Sequence, residues 1–192
     1  MKLFKAFTLV EMMVAVSIFA IVMMIGVGAL LSLVETNRRA QAINSVMNNV
    51  NAAVETMSRA VRVGTNYHCR TSTSYVPPTT YSNTQDCALG NGVVFAFESS
   101  EGDDTLATDQ IVYRLNDTTL ERSKSGGENG TWVAVTAPEV NIEAFEVYVL
   151  GSTAGDSVQP RMLMTIRGSA QVPGGTTSFT VQSSVVQRLI DI

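Results

Sequence analysis

From Met12 to Val34 the chain carries no charged residue, and its apolar character begins earlier, at Phe7. A run of this kind exceeds the roughly 20 residues that a helix needs to cross the hydrocarbon core of a bilayer. Backbone N–H and C=O groups find no water there, so a spanning segment must be helical. Lys2 and Lys5 precede the run and favour a cytoplasmic N-terminus, while Arg38 and Arg39 beyond it weaken that bias. The apolar region of a secretory signal peptide is about 7–15 residues long, which fits this run badly. A plain signal anchor fits the hydropathy equally well.

Glu11 stands at the start of the run. A carboxylate at the centre of a membrane helix costs about 2.5–3.5 kcal/mol on insertion scales, and less near the edge. One reading therefore places Glu11 shallowly, with its side chain reaching the headgroups. The string Lys5-Ala6-Phe7-Thr8-Leu9-Val10-Glu11 supports a second reading. It resembles the prepilin motif of the type IV pilin-like family: a short basic leader, a small residue, a phenylalanine and an apolar run with glutamate four residues on. The resemblance implies that residues 1–6 are a cleavable leader. It implies that a prepilin peptidase at the inner membrane cuts between Ala6 and Phe7 and methylates the new Phe7 amine. It also implies that Glu11 pairs with the Phe7 amine of a neighbouring subunit in a filament. Opposite charges in an apolar bundle attract strongly, and each relieves the other's desolvation. Family members most often have glycine where Ala6 stands, Met12 and Met13 replace the commoner leucines, and no proline interrupts the run.

Residues 7–34 thus read as a transmembrane or filament-core helix, and residues 35–64 continue it as an amphipathic one. Ile43, Met47, Val50, Val54, Met57 and Val61 form one stripe, the core face of a helix. Gly64 is the expected stop, as a residue that accommodates a left-handed conformation. Counted from Phe7, such a helix would be roughly 85 Å long. Residues 65–92 read as an irregular polar loop containing Pro77-Pro78 and three tyrosines, Tyr67, Tyr75 and Tyr81, which are either ordinary loop residues or a contact surface. The remainder, 93–192, reads as antiparallel strands at Val93–Glu98, Gln110–Leu115, Thr119–Ser123, Trp132–Thr136, Asn141–Leu150, Arg161–Arg167 and Ser178–Leu189. The expected fold class is α+β, a long N-terminal helix packed on an antiparallel β-sheet head.

Cys69 and Cys87 lie beyond the span. If the N-terminus is cytoplasmic, both face an oxidising compartment and can pair, closing a loop that stabilises the fold by about 3 kcal/mol; the alternative is two buried free thiols. With the single His68 they supply too few soft ligands for zinc, so no metal site is expected. A Cys–His nucleophile would need more than sequence adjacency. The acidic group Glu98, Glu101, Asp103, Asp104 and Asp109 could offer oxygens to calcium, but reads more simply as a solvated turn. A net charge of −4 with scattered basic residues gives no nucleic-acid footprint. No cofactor motif and no convergent acid, base or nucleophile set is found, so the expectation is not an enzyme.

The resemblance implies a minor pilin or pseudopilin, similar in size and β-rich head to the J-type pseudopilins. Such a subunit serves a type IV pilus, type II secretion or DNA-uptake filament. Its partners would be the prepilin peptidase, other subunits, the membrane and the assembly platform. Its place would be the inner membrane in a single pass with an extracytoplasmic head, and then the filament. The rival expectation is a single-span membrane-anchored binding domain or adhesin that does not assemble.

Overall fold

The computed structural model describes residues 7–73, 83–103, 106–153 and 158–188. The long helix α1 (Leu9–Val63) begins the fold. The chain divides into two compact units that meet between Ala42 and Ile43.

In the first unit, α1 starts at a side-chain cap. Thr8 Oγ1 accepts the N–H of Glu11 at 3.3 Å, and the Thr8 carbonyl accepts the N–H of Met12 at 3.2 Å. These partners satisfy groups that a helix start otherwise leaves open. The large apolar side chains from Phe7 to Val34 are exposed, and none of the most apolar 18-residue window is buried. The hydroxyl of Ser17 donates back to the Met13 carbonyl at 2.8 Å, so this polar group in the apolar run is satisfied within the helix itself.

In the second unit, the rest of α1 buries Val46, Val50, Ala53, Val54, Met57 and Val61. This corrects the expected stripe at its upstream end, where Ile43 and Met47 are only half-buried. On a helix of 3.6 residues per turn Met47 falls at the margin of the buried arc, Val46 and Ala53 fall inside it, and Ile43 is the first residue of the unit. Gly64 does follow the last helical residue, but its φ is not positive. A Cβ there would run into the Phe97 ring and stand 2.9 Å from the Glu98 carbonyl, so closeness of packing, not handedness, calls for glycine. The left-handed residue is Asn66, with φ 51°.

The head is two antiparallel sheets rather than one. The five-stranded sheet has the order β1 (Thr65–Arg70), β3 (Val94–Glu98), β4 (Ile111–Asn116), β5 (Thr119–Ser123), β6 (Val133–Ala134). The four-stranded sheet has the order β2 (Cys87–Gly92), β7 (Val140–Leu150), β8 (Arg161–Val172), β9 (Gly175–Val186). The expected loop 65–92 is therefore corrected at both ends, which are strands; Tyr75, Tyr81 and Pro77-Pro78 lie outside the described residues. Alternation decides what faces inward. Along β8, Met162, Met164, Ile166, Ala170 and Val172 are buried, while Arg161, Arg167 and Gln171 are exposed. The helix stripe, the inward residues of β7 and β8, and the ring cluster Tyr67, Phe95, Phe97 and Tyr113 share one core. All of β3 is buried because Val93 and Trp132 cover Val94, Ala96 and Val112 on the other face. Trp132 precedes the short β6 and lies under the Arg114 guanidinium, 3.8 Å from its ring centre.

Besides the Ser58–Ser183 hydroxyl pair at 3.2 Å, the last carbonyls of α1 accept hydrogen bonds from the head. The Tyr67 hydroxyl donates to the Val61 carbonyl at 2.6 Å, and the Arg188 N–H donates to the Arg62 carbonyl at 2.7 Å. Both occupy carbonyls that a helix C-terminus leaves without intrahelical partners. Tyr67 is thus a buried cap, not an exposed contact residue.

Candidate functional site

Two places gather the residues singled out in the sequence. At the N-terminus, Phe7 is exposed and lies just before the capping Thr8, and Glu11 occupies the third helical position. Ala6 and the rest of the leader lie outside the described residues. Thr8-Leu9-Val10-Glu11 has the spacing of a capping box, a signal that the sequence contained and that the reading of Glu11 passed over. A carboxylate in the first turn also complements the partial positive charge of the helix start. Glu11 can therefore help begin the helix and remain exposed.

The second place is the junction of the two sheets. Cys69 on β1 pairs across the strands with Phe95, and Cys87 on β2 pairs with Val149. A disulfide joins the two cysteines, with a Cα–Cα separation of 5.7 Å, and therefore joins the sheets. Gly92 is pressed against this bridge: a Cβ there would collide with Cys69 Sγ and stand 2.7 Å from the Val147 carbonyl. Asp86, which the sequence reading did not single out, latches the same region. Its carboxylate accepts the N–H groups of Gly151 and Ser152 at 3.1 and 3.0 Å.

His68 lies on β1, not in a loop, and is buried. Its Nδ1 meets the Asn83 carbonyl, and a backbone bridge pairs His68 with Gln85. The neighbouring Cys69 sulfur is already bonded, so it is no nucleophile for this imidazole. Burial is the largest influence on His68 and lowers its pKa, the hydrogen bond to Asn83 raises it, and the nearby Arg70 charge lowers it. Because the folded-state pKa is lowered, the unfolded chain takes up the proton first as the pH falls. The stability from keeping His68 neutral is fully present above its unfolded pKa of about 6.5, and is lost as the pH falls below that value. We expect the urea midpoint of the purified chain to fall between about pH 7.5 and pH 5.5. The slope cannot exceed about 1.4 kcal/mol per pH unit for one proton. His68→Gln should flatten this window; an unchanged slope in the variant would exclude His68 as its source.

The acidic group closes a turn. Glu98 is buried and accepts the Ser99 N–H at 3.1 Å, while Asp109 accepts the Asp103 N–H at 2.8 Å. Gly102 lies so close to both carboxylates that a Cβ would collide with Glu98 and stand 3.2 Å from Asp109 Oδ2. Asp104 lies outside the described residues, and among those residues no group of three or more acidic, His or Cys side chains is arranged to hold a metal ion.

Residues 1–27 match the family model described as the prokaryotic N-terminal methylation motif, the type IV prepilin-like signal. No curated protein and no solved structure gives a match. The motif implies processing by a prepilin peptidase and association with a membrane. Among the described residues one helix, α1, is long and apolar enough to span a membrane, and the motif at its start is the signal of pilin-type, membrane-anchored proteins.

Proposed function

We propose that the chain is a non-enzymatic structural subunit, a minor pilin or pseudopilin, of a type IV pilus, type II secretion or DNA-uptake filament. The observation that carries this reading is a prepilin-type N-terminus leading directly into a helical run, Phe7 to Val34, with exposed apolar side chains and one carboxylate, Glu11. In the membrane, lipid covers those side chains. In a filament, the same helices of other subunits cover them, so storage and assembly use one surface.

The peptidase hydrolyses the Ala6–Phe7 bond with water, freeing an amine on Phe7 that then attacks the methyl group of a sulfonium donor, which leaves as a thioether while the nitrogen gives up a proton. The methylated amine keeps its positive charge. Glu11 of an adjacent subunit neutralises it, which fixes the axial register because each subunit carries this pair at one height. An assembly platform draws subunits from the inner-membrane pool, and the extracytoplasmic head presents its surface on the filament.

Mass spectrometry of the chain isolated from membranes tests the reading at its first step. A mature chain that starts at Phe7 with one added methyl group is the expected result. Ala6→Leu should insert normally but keep its leader, because the apolar span is unchanged and only the peptidase's small-residue pocket is affected. An intact leader on the parent chain, or normal maturation of Ala6→Leu, would favour a single-span anchored binding domain instead.

A further inference from the structure

The head has one long open sheet edge. β9 pairs with β8 over its whole length, from Val172 opposite Gly175 to Arg161 opposite Val186, with no shift of register. No strand or backbone hydrogen bond occupies its other side among the described residues. The remaining edges are guarded: β1 and β2 are stapled by the disulfide, and β6 has two residues. Proteins commonly protect an edge with charge, proline, a bulge or short length. β9 runs for 12 residues, Gly-Thr-Thr-Ser-Phe-Thr-Val-Gln-Ser-Ser-Val-Val, and has none of these.

A groove adjoins the same edge. On the outward face of the four-stranded sheet, Tyr148, Leu150, Leu163, Ser184 and Val186 line a depression of about 350 Å³, with the exposed Arg161 at its rim. Val186 is 52% exposed, so this apolar wall reaches the edge itself. Arg188, also exposed, lies at the same end, and neither arginine has an ion-pair partner among the described residues.

We propose that β9 is a docking edge for an extended segment of another polypeptide, apolar at alternate positions and acidic at the end that meets Arg161 and Arg188. The open ladder calls for a strand, since only extended backbone can pair with it along its length. The groove calls for apolar side chains, which an added strand places beside Ser184 and Val186 at every second residue. The two arginines call for a carboxylate. A second copy of β9 meets only the first requirement. Paired antiparallel, it would bring Thr176 and Ser178 to the groove and no acid to the arginines. This inference does not depend on the N-terminal helix entering a filament.

The test uses the full chain in detergent and a synthetic peptide of alternating valine and threonine with one terminal glutamate. Hydrogen exchange should slow at alternate amides of β9 by about tenfold or more when the peptide is added. The same peptide N-methylated at alternate residues should not bind, because its ladder donors are gone. Arg161→Glu should weaken the glutamate peptide and strengthen one ending in lysine. Absence of β9 protection at about 1 mM peptide would overturn the proposal. So would equal binding of the N-methylated peptide, or self-association of the chain that protects β9 without any peptide.

Discussion

Glu11→Val is expected to leave the chain in the membrane at parental levels or above, while copurification with other subunits falls by roughly a hundredfold to a thousandfold or more. That estimate follows from leaving a buried charge without its partner, which costs about 3–5 kcal/mol. Insertion should be indifferent or improved, since the substitution removes a carboxylate from an apolar helix. Because Glu11 also occupies the third position of a capped helix start, valine alone would confound two losses. Glu11→Gln separates them. Glutamine keeps the hydrogen-bonding side chain of a capping box and loses only the charge. If the charge pair drives assembly, Gln should fail almost as badly as Val. If Gln copurifies as the parent does, the charge-pair mechanism is wrong and Glu11 serves the helix start.

Removing the disulfide is expected to have the largest effect on the stability of the head. Replacing both Cys69 and Cys87 by alanine reopens a loop with a sequence separation of 18 residues. The chain-entropy cost is about 3 kcal/mol, and for a domain of this size it corresponds to a fall in melting temperature of roughly 6–12 °C. The loss should be felt in both sheets, because the bridge joins β1 to β2 where no strand ladder does. Thermal melting of the purified protein, followed by near-ultraviolet circular dichroism, reads the effect. Thiol labelling of the exported parent under denaturing, non-reducing conditions should find neither cysteine. An unchanged melting temperature, or two labelled thiols, would remove the bridge from the account.

Much of the head was legible because strand alternation is a local property. Thr119–Ser123 coincides with β5, and the Pro173-Gly174 turn joins β8 to β9, with Gly174 at φ 86°. β1 and β2 were missed because their sequences, Thr-Asn-Tyr-His-Cys-Arg and Cys-Ala-Leu-Gly-Asn-Gly, have no clean alternation of apolar residues. What makes β2 a strand lies elsewhere in the chain: Gly90 admits the Tyr148 ring and Gly92 admits the disulfide. The strand expected over Arg161–Arg167 runs on through Gly168 to Val172. In the fold that glycine continues the strand, since a Cβ there would meet the Phe179 ring at 2.8 Å. Alternation shows which face of a strand is buried but not which sheet it joins, so the division into two sheets could not be read. At the N-terminus the reverse holds. Phe7 and Glu11 stand in a contiguous motif that needs no tertiary information, whereas Tyr67 could not be recognised as a cap without knowing that β1 returns past Val61.

The two bonds at the end of α1 determine how the head responds to tension. Tyr67 belongs to β1 in the five-stranded sheet, and Arg188 follows β9 in the four-stranded one. A pull transmitted along the helix therefore enters the five-stranded sheet through the chain at Gly64 and through Tyr67, and the four-stranded sheet through Arg188. Neither sheet carries the whole load, and the bridge between Cys69 and Cys87 also holds the two sheets together. Resistance to forced unfolding is a matter of unfolding rate rather than equilibrium stability. A head anchored in this way should hold its shape under traction longer than its melting temperature alone suggests.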